Sequence, residues 1–208
     1  MKIASIGSGH MGAALGKRWA ALGHDVMFGS RDPHSERIKL LLEETGSNAQ
    51  AGTISEAASF GEVILLAVLP DAVEQVLAEA GDLDGKILIN CTNRYDGRSA
   101  DEEVRRLAQN ARVVRAFHTL PWEVLANPQY EQGTATAFLS GDDPAAAAVV
   151  ARLITEIGLD PVDVGGPDRM AKVETAIGTL WGVLAPRFGR EYSLSVLRRQ
   201  EPEADAIR

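Results

Sequence analysis

The residues with the most chemical content open the chain. Lys2 to Ile6 is a short apolar strand that runs into Gly7, Ser8, Gly9, His10, Met11 and Gly12, and the pattern from Met11 to Leu22 is helical. Strand, GxGxxG and helix in that order form a dinucleotide-binding fingerprint. The first glycine permits a tight turn, the second lets backbone approach a pyrophosphate, and the third lets the helix pack closely on the strand. The helix start then offers unpaired N–H groups and the positive end of its dipole to an anion. Glycine-rich turns are common, so the flanking strand and helix are what make this one specific.

A second cluster follows the next strand, Asp25 to Phe28. An NAD site places Asp or Glu at this strand end to accept from the ribose hydroxyls. This chain reads Gly29, Ser30, Arg31, Asp32 instead. A carboxylate repels a 2'-phosphate, whereas a serine hydroxyl and an arginine fork bind one. Ser30 and Arg31 therefore point to NADP, with His34, Arg37 and Lys39 adding positive field. The other reading is an exposed loop arginine and a capping serine, with Asp32 on the ribose.

Strand and helix signals alternate beyond this point. Ser35 to Thr45 reads as a helix, and Glu62 to Leu69 as a continuous apolar strand buried on both faces, the mark of a parallel sheet. Pro70 opens a helix to about Ala80, Lys86 to Asn90 is a strand, and the capping box Ser99, Ala100, Asp101, Glu102 opens a helix toward Ala108. Arg112 to Ala116 is the next strand. A loop through Pro121, Asn127 and Pro128 leads to a strand at Thr136 to Ser140 and a helix from Asp142, Asp143, Pro144 to about Ile157. A short strand at Pro161 to Val164, a helix from Arg169 to about Trp181 and a frayed end at Glu201 to Arg208 complete the chain. The fold expected is α/β, a Rossmann-like doubly wound parallel sheet with a small C-terminal lobe. Its division is an NADP-binding domain over 1–165 and a helical lobe over 166–208.

Open parallel sheets bind ligands outside the carboxyl ends of their strands. Ala67, Val68, Leu69 and Pro70 are expected beside the nicotinamide. Asn93, in Asn90, Cys91, Thr92, Asn93, has an amide suited to the carboxamide or a substrate. Ala116 is expected at the cofactor, and His118 is the best catalytic candidate because histidine titrates near neutrality. Phe117, His118, Leu120, Pro121 and Trp122 suggest a flat wall for a planar acceptor. For Asn93 and Thr119 the competing reading is a strand end capping its own backbone.

Composition narrows the classes. A net charge of −8, from 21 basic and 29 acidic residues, argues against a nucleic-acid partner. No run approaches the ~18 apolar residues of a membrane span. Met1 leads straight into a strand, so a cytoplasmic protein is expected. Cys91, the lone cysteine, excludes an internal disulfide and a cysteine-rich metal cluster, and no metal site is expected.

At these residues the chain resembles the NADPH-dependent deazaflavin (coenzyme F-420) reductases, with related folds in pyrroline carboxylate reductases and metal-reducing membrane oxidoreductases. The resemblance is carried by Ile6 to Gly12, Gly29 to Arg31, Leu66 to Pro70 and Val113 to Thr119, and extends through Ser140 to Asp143 and Gly158 to Asp163. It implies direct hydride transfer between nicotinamide C4 and a deazaflavin C5, with Ser30 and Arg31 on the NADP phosphate. Quinones, ferric chelates and imino or keto acids remain alternative acceptors, and a non-catalytic NADP sensor is the rival from another class. A homodimer is expected from the resemblance and from the apolar helices Ala145 to Ile157 and Val173 to Leu184, one of which should expose its face.

Overall fold

A computed structural model describes residues 1–94 and 100–198. Its centre is set by strands whose side chains are buried on both faces. In β4 (Val63–Leu66), Val63 and Leu65 enter one apolar layer while Ile64 and Leu66 enter the other. Helices α1 (His10–Ala21), α2 (Glu36–Thr45) and α7 (Pro144–Glu156) bring Leu15, Trp19, Leu41, Val150 and Leu153 to the first layer. Helices α3 (Ile54–Phe60), α4 (Val73–Ala80) and α5 (Ala100–Leu107) bring Ile54, Val76, Leu77 and Val104 to the second.

The remaining strands of the main sheet are β1 (Lys2–Ile6), β2 (Asp25–Gly29), β3 (Ala49–Gly52), β5 (Ile87–Asn90), β6 (Arg112–Ala116), β9 (Thr136–Gly141) and β10 (Asp160–Asp163). Among the described residues their order is β10-β9-β6-β5-β4-β1-β2-β3. From β3 through β6 all neighbours are parallel, and β1 lies between β2 and β4, where the winding reverses. That reversal is the switch point at which such sheets bind ligands. β9 departs from the parallel expectation and runs antiparallel to β6, with β10 parallel to β9. The cause lies in residues 117–135. They hold α6 (Trp122–Ala126) and the hairpin of β7 (Gln129–Tyr130) and β8 (Gly133–Thr134), and no crossover helix returns the chain to the other end of the sheet. β9 must then start where β6 stops.

Other boundaries moved for physical reasons. β4 stops at Leu66, short of the expected Leu69, because the Ala67 N–H on Ile6 O is its last bond to β1 before the glycine turn leaves the sheet. Pro70 opens a 3₁₀ turn, Pro70–Ala72, ahead of α4. The elements β3, α3, α6 and the hairpin carry no strong periodicity. Even so, Thr53 and Glu56 form a full capping box at the start of α3. The last helix, α8 (Pro167–Phe188), runs well past Trp181. Ser99, of the expected capping box, lies outside the described residues, although α5 begins at Ala100 as anticipated.

The approach of α1 to β1 is the tightest packing in this frame. A Cβ on Gly12 would overlap the Gly7 carbonyl oxygen, and one on Gly16 would enter the Phe28 ring. Gly12→Ala should therefore cost about 1 to 3 kcal/mol, typical of overpacking. Urea unfolding checks this, and a midpoint equal to that of the unaltered chain would disprove the close contact.

Candidate functional site

The carboxyl ends of β1, β2, β4, β5 and β6 share one edge of the sheet, and the candidate site lies along it. Gly7 turns the chain at φ +103°, where a Cβ would strike the Ala67 carbonyl, and its N–H donates to Gly29 O at 3.3 Å. Gly9 caps α1, whose first turn has no acidic residue. A Cβ built on Gly9 meets nothing within 4 Å. Space at a helix N-terminus without a competing carboxylate is what a pyrophosphate needs. Ser8 and Met11 are half-buried beside this space, and Gly12 O accepts from Ser5 Oγ at 3.1 Å. His10 is exposed, its ring 4.7 Å from that of Trp122 and tilted 45°.

At the end of β2, Ser30 Oγ donates to Asp32 O and accepts from Asp32 N–H, both at 3.2 Å. The hydroxyl thus caps its own turn in this conformation. Asp32 Oδ1 accepts the His34 N–H at 3.2 Å. Arg31 is exposed, and Arg37 reaches from α2 to donate to the Ser8 carbonyl. Arg37 therefore places a guanidinium at the corner between β2 and the glycine turn, and exposed Arg31 lies just past the end of β2. At the end of β4, Ala67, Val68 and Pro70 are half-buried and Leu69 is 79% exposed.

A buried polar cluster ties the ends of β5 and β6 together. Arg115 Nη1 donates to Asn90 O at 3.3 Å and to Thr92 O, Nη2 to Asn93 Oδ1 at 3.3 Å, and Nε to Glu174 Oε1 on α8 at 2.9 Å. Asn93 Nδ2 donates to His118 O at 2.9 Å. The Asn93 amide is thus held by Arg115 on one side and by the His118 backbone on the other. The His118 side chain is 1% exposed and places Nε2 at 2.9 Å from the same Glu174 oxygen. Ala116 is fully buried.

The electrostatics follow from this packing. Burial pushes the Glu174 carboxyl up, but the His118 ring and the Arg115 guanidinium outweigh burial and hold it at about 2. Burial and the nearby Arg115 charge lower His118, against the opposing pull of Glu174. Arg115 and Glu174 thus form an ion pair, and burial beside the guanidinium disfavours the charged form of the His118 ring that meets the same carboxylate. Cys91, beside the cluster, has its thiol pushed up to about 12 by burial and is inert.

The expected flat wall is turned inward. Phe117 adopts φ +66°, is fully buried and meets Trp19 edge-on at 5.8 Å. Leu120 and Pro121 are buried too, which leaves half-exposed Trp122 as the ring facing the cleft, against His10. Sequence reading missed Glu174, the role of Arg115 and the Arg37 contact. One signal was available: Arg115 interrupts Val113, Val114 and Ala116 in a buried strand, and a buried guanidinium requires a partner.

Residues 2–94 match the family described as NADP oxidoreductase coenzyme F420-dependent. The chain is 28% identical over 198 residues to the F420-dependent NADP reductase of Methanothermobacter thermautotrophicus, covering 84% of this chain and 85% of that protein. It is 30% identical over 180 residues to the Metalloreductase STEAP3 of Rattus norvegicus, covering 83% of this chain but only 36% of that protein's length. Among solved structures, a candidate F420-dependent NADP-reductase from Arthrobacter sp. FB24 superposes with a TM-score of 0.85 at 26% identity, over 95% of this chain and all of that one. Among the described residues, no helix is long and apolar enough to cross a membrane.

The Glu174 pairing has a signed consequence. Its folded value lies below the ordinary 4.5, so the stability it contributes is complete above that value and is lost as pH falls through it toward about 2. The thermal midpoint gap between the unaltered chain and Glu174→Gln should be constant from pH 6 upward and close progressively below about 4.5. A gap that persists undiminished near pH 2.5 would contradict the pairing.

Proposed function

We propose that this chain, whose residues 2–94 match the family described as NADP oxidoreductase coenzyme F420-dependent, is a member of that family, binds NADP(H) across the glycine turn and exchanges hydride with a planar, conjugated acceptor such as a deazaflavin. The observation that carries the cofactor reading is the open space over Gly9 at the start of α1, with Arg37 bound to the neighbouring Ser8 carbonyl. Ser8, His10 and Met11 border that space, and Arg31 would bind the 2'-phosphate as a fork. Ser30 would join it once its hydroxyl leaves the Asp32 backbone. Ala67, Val68, Leu69 and Pro70 would floor the nicotinamide half. Exposed Leu69 gives that half an apolar cover against water.

Bound NADPH supplies the hydride. Direct transfer asks the chain chiefly for orientation and exclusion of water, with no obligatory acid or base. His118, buried and held at Glu174, fits a positioning role at the β6 end better than contact with substrate. The acceptor reading leans on the archaeal relative's name. The rat relative's name keeps a ferric chelate as a second reading. NADPH oxidation by the purified chain against deazaflavins, flavins, quinones and ferric chelates separates them, and turnover confined to ferric chelates would overturn the ring-acceptor reading. We also propose a homodimer, because Val183, Phe188 and Leu197 leave an apolar surface on α8 and the following segment. A monomer mass by light scattering would remove it.

Two substitutions test the cofactor assignment. Charge-assisted bonds are worth about 1.5 to 3 kcal/mol, so NADPH should bind roughly ten- to a hundredfold more tightly than NADH, with Arg31→Asp reversing the order. Equal affinities before mutation would refute it. Gly9→Ala, whose methyl points into open space, should weaken NADPH at least tenfold while its thermal midpoint stays far above that of Gly12→Ala.

A further inference from the structure

The cluster at the β5 and β6 ends joins the sheet edge next to the glycine turn to α8, which walls a separate narrow apolar slot. On the cofactor side, Arg115 gathers the Asn90 and Thr92 carbonyls and the Asn93 amide, which form the end of β5 next to β4. On the other side it reaches Glu174, at the second turn of α8. Four N–H donations from one planar guanidinium leave little freedom to shift any single partner.

α8 depends on this tie. In a 22-residue helix, Met170 is the one buried residue. Met170, Glu174, Ile177 and Trp181 are spaced i−4, i, i+3 and i+7 and share one stripe. Ile177 and Trp181, with Leu120, Phe138 and Leu194, line a narrow apolar slot beyond the end of β6. Any swing of Glu174 carries that wall with it. Replacing Glu174 alone by an apolar side chain would leave the Arg115 guanidinium buried without its carboxylate, so the pair both contributes stability and fixes the register of α8.

We propose that Glu174 is a positioning residue: through Arg115 it locks the α8 wall of the apolar slot to the β5 end beside the cofactor, so that donor and acceptor keep a fixed separation. The proposal rests on the hydride-transfer reading above. Its mechanical part, the coupling of α8 to the sheet, does not.

The test uses the full chain with Glu174→Gln and Glu174→Asp. NADPH affinity by fluorescence titration should stay within twofold in both, since the glycine turn and Arg31 are untouched. For the best acceptor found with the unaltered chain, Glu174→Gln should raise KM at least fivefold and lower kcat at least tenfold. Glu174→Asp, which keeps the charge, should recover part of both. Hydrogen exchange should quicken at least tenfold across residues 174–182 in Glu174→Gln, with α1 and β1 unchanged. Unaltered KM and kcat would overturn the positioning role, and so would exchange that quickens equally throughout the chain, the sign of general destabilisation. If no acceptor is turned over even by the unaltered chain, the functional reading fails alone. The exchange pattern then still decides whether Glu174 couples α8 to the sheet.

Discussion

The rest of the structure depends on how closely α1 can approach β1. Helix and strand normally stand apart by the thickness of their side chains. Here Gly12 sits against the Gly7 carbonyl and Gly16 against the Phe28 ring, so the helix start drops onto the sheet edge. That descent puts the Gly9 end of α1 directly over the ends of β1 and β4. It also forces the turn at Gly7 to φ +103°, a conformation that glycine adopts freely and other residues adopt at a cost of about 1 kcal/mol or more. The anion site is thus a by-product of backbone packing, built without a basic side chain. Arg37 is added at its rim, on the Ser8 carbonyl, and exposed Arg31 follows the end of β2.

The far end of the same edge is built by the opposite means. Around Arg115 the contacts are side-chain donations from β6 to carbonyls at and just beyond the end of β5 and to the Glu174 carboxylate on α8. Burying a guanidinium is unfavourable unless nearly every N–H is satisfied, and once it is satisfied the partners are fixed in place. Phe117 belongs to this construction. Its left-handed backbone sends its ring into the core against Trp19 and lets the next residue turn its carbonyl to Asn93 and its ring to Glu174. Strain on the order of 1 to 3 kcal/mol at one residue is tolerable where two neighbouring contacts and a buried ring offset it.

This difference decides what could be read from the sequence. The glycine turn, β1, β2 and the buried run of β4 were legible because local order encodes them: glycines at fixed spacing, an apolar strand ahead, a helix behind. β3, the hairpin and the reversal at β9 were not, since Ala49–Gly52 has no apolar alternation and strand direction is set by a connection without periodicity. Asn93 and His118 were singled out correctly as strand-end residues. Their engagements were invisible because Glu174 stands 56 positions beyond His118 on a helix whose pattern says nothing about which residue faces the sheet. A lone arginine among valines announced that a partner existed without saying where.

The two halves of the edge also differ in how they respond to substitution. Contacts made by backbone survive most side-chain substitutions, so the half of the edge formed by β1, β2 and β4 tolerates drift outside its glycines and Arg31. The far end of the edge is defined by where α8 lies, and α8 has one buried residue, Met170, and meets Arg115 and His118 through Glu174. A few changes along the stripe of Met170, Glu174, Ile177 and Trp181 would reshape the slot without disturbing the sheet, because neither apolar layer relies on that helix beyond its first turns. The Arg115 cluster is therefore the point at which this sparsely buried helix is joined to the sheet.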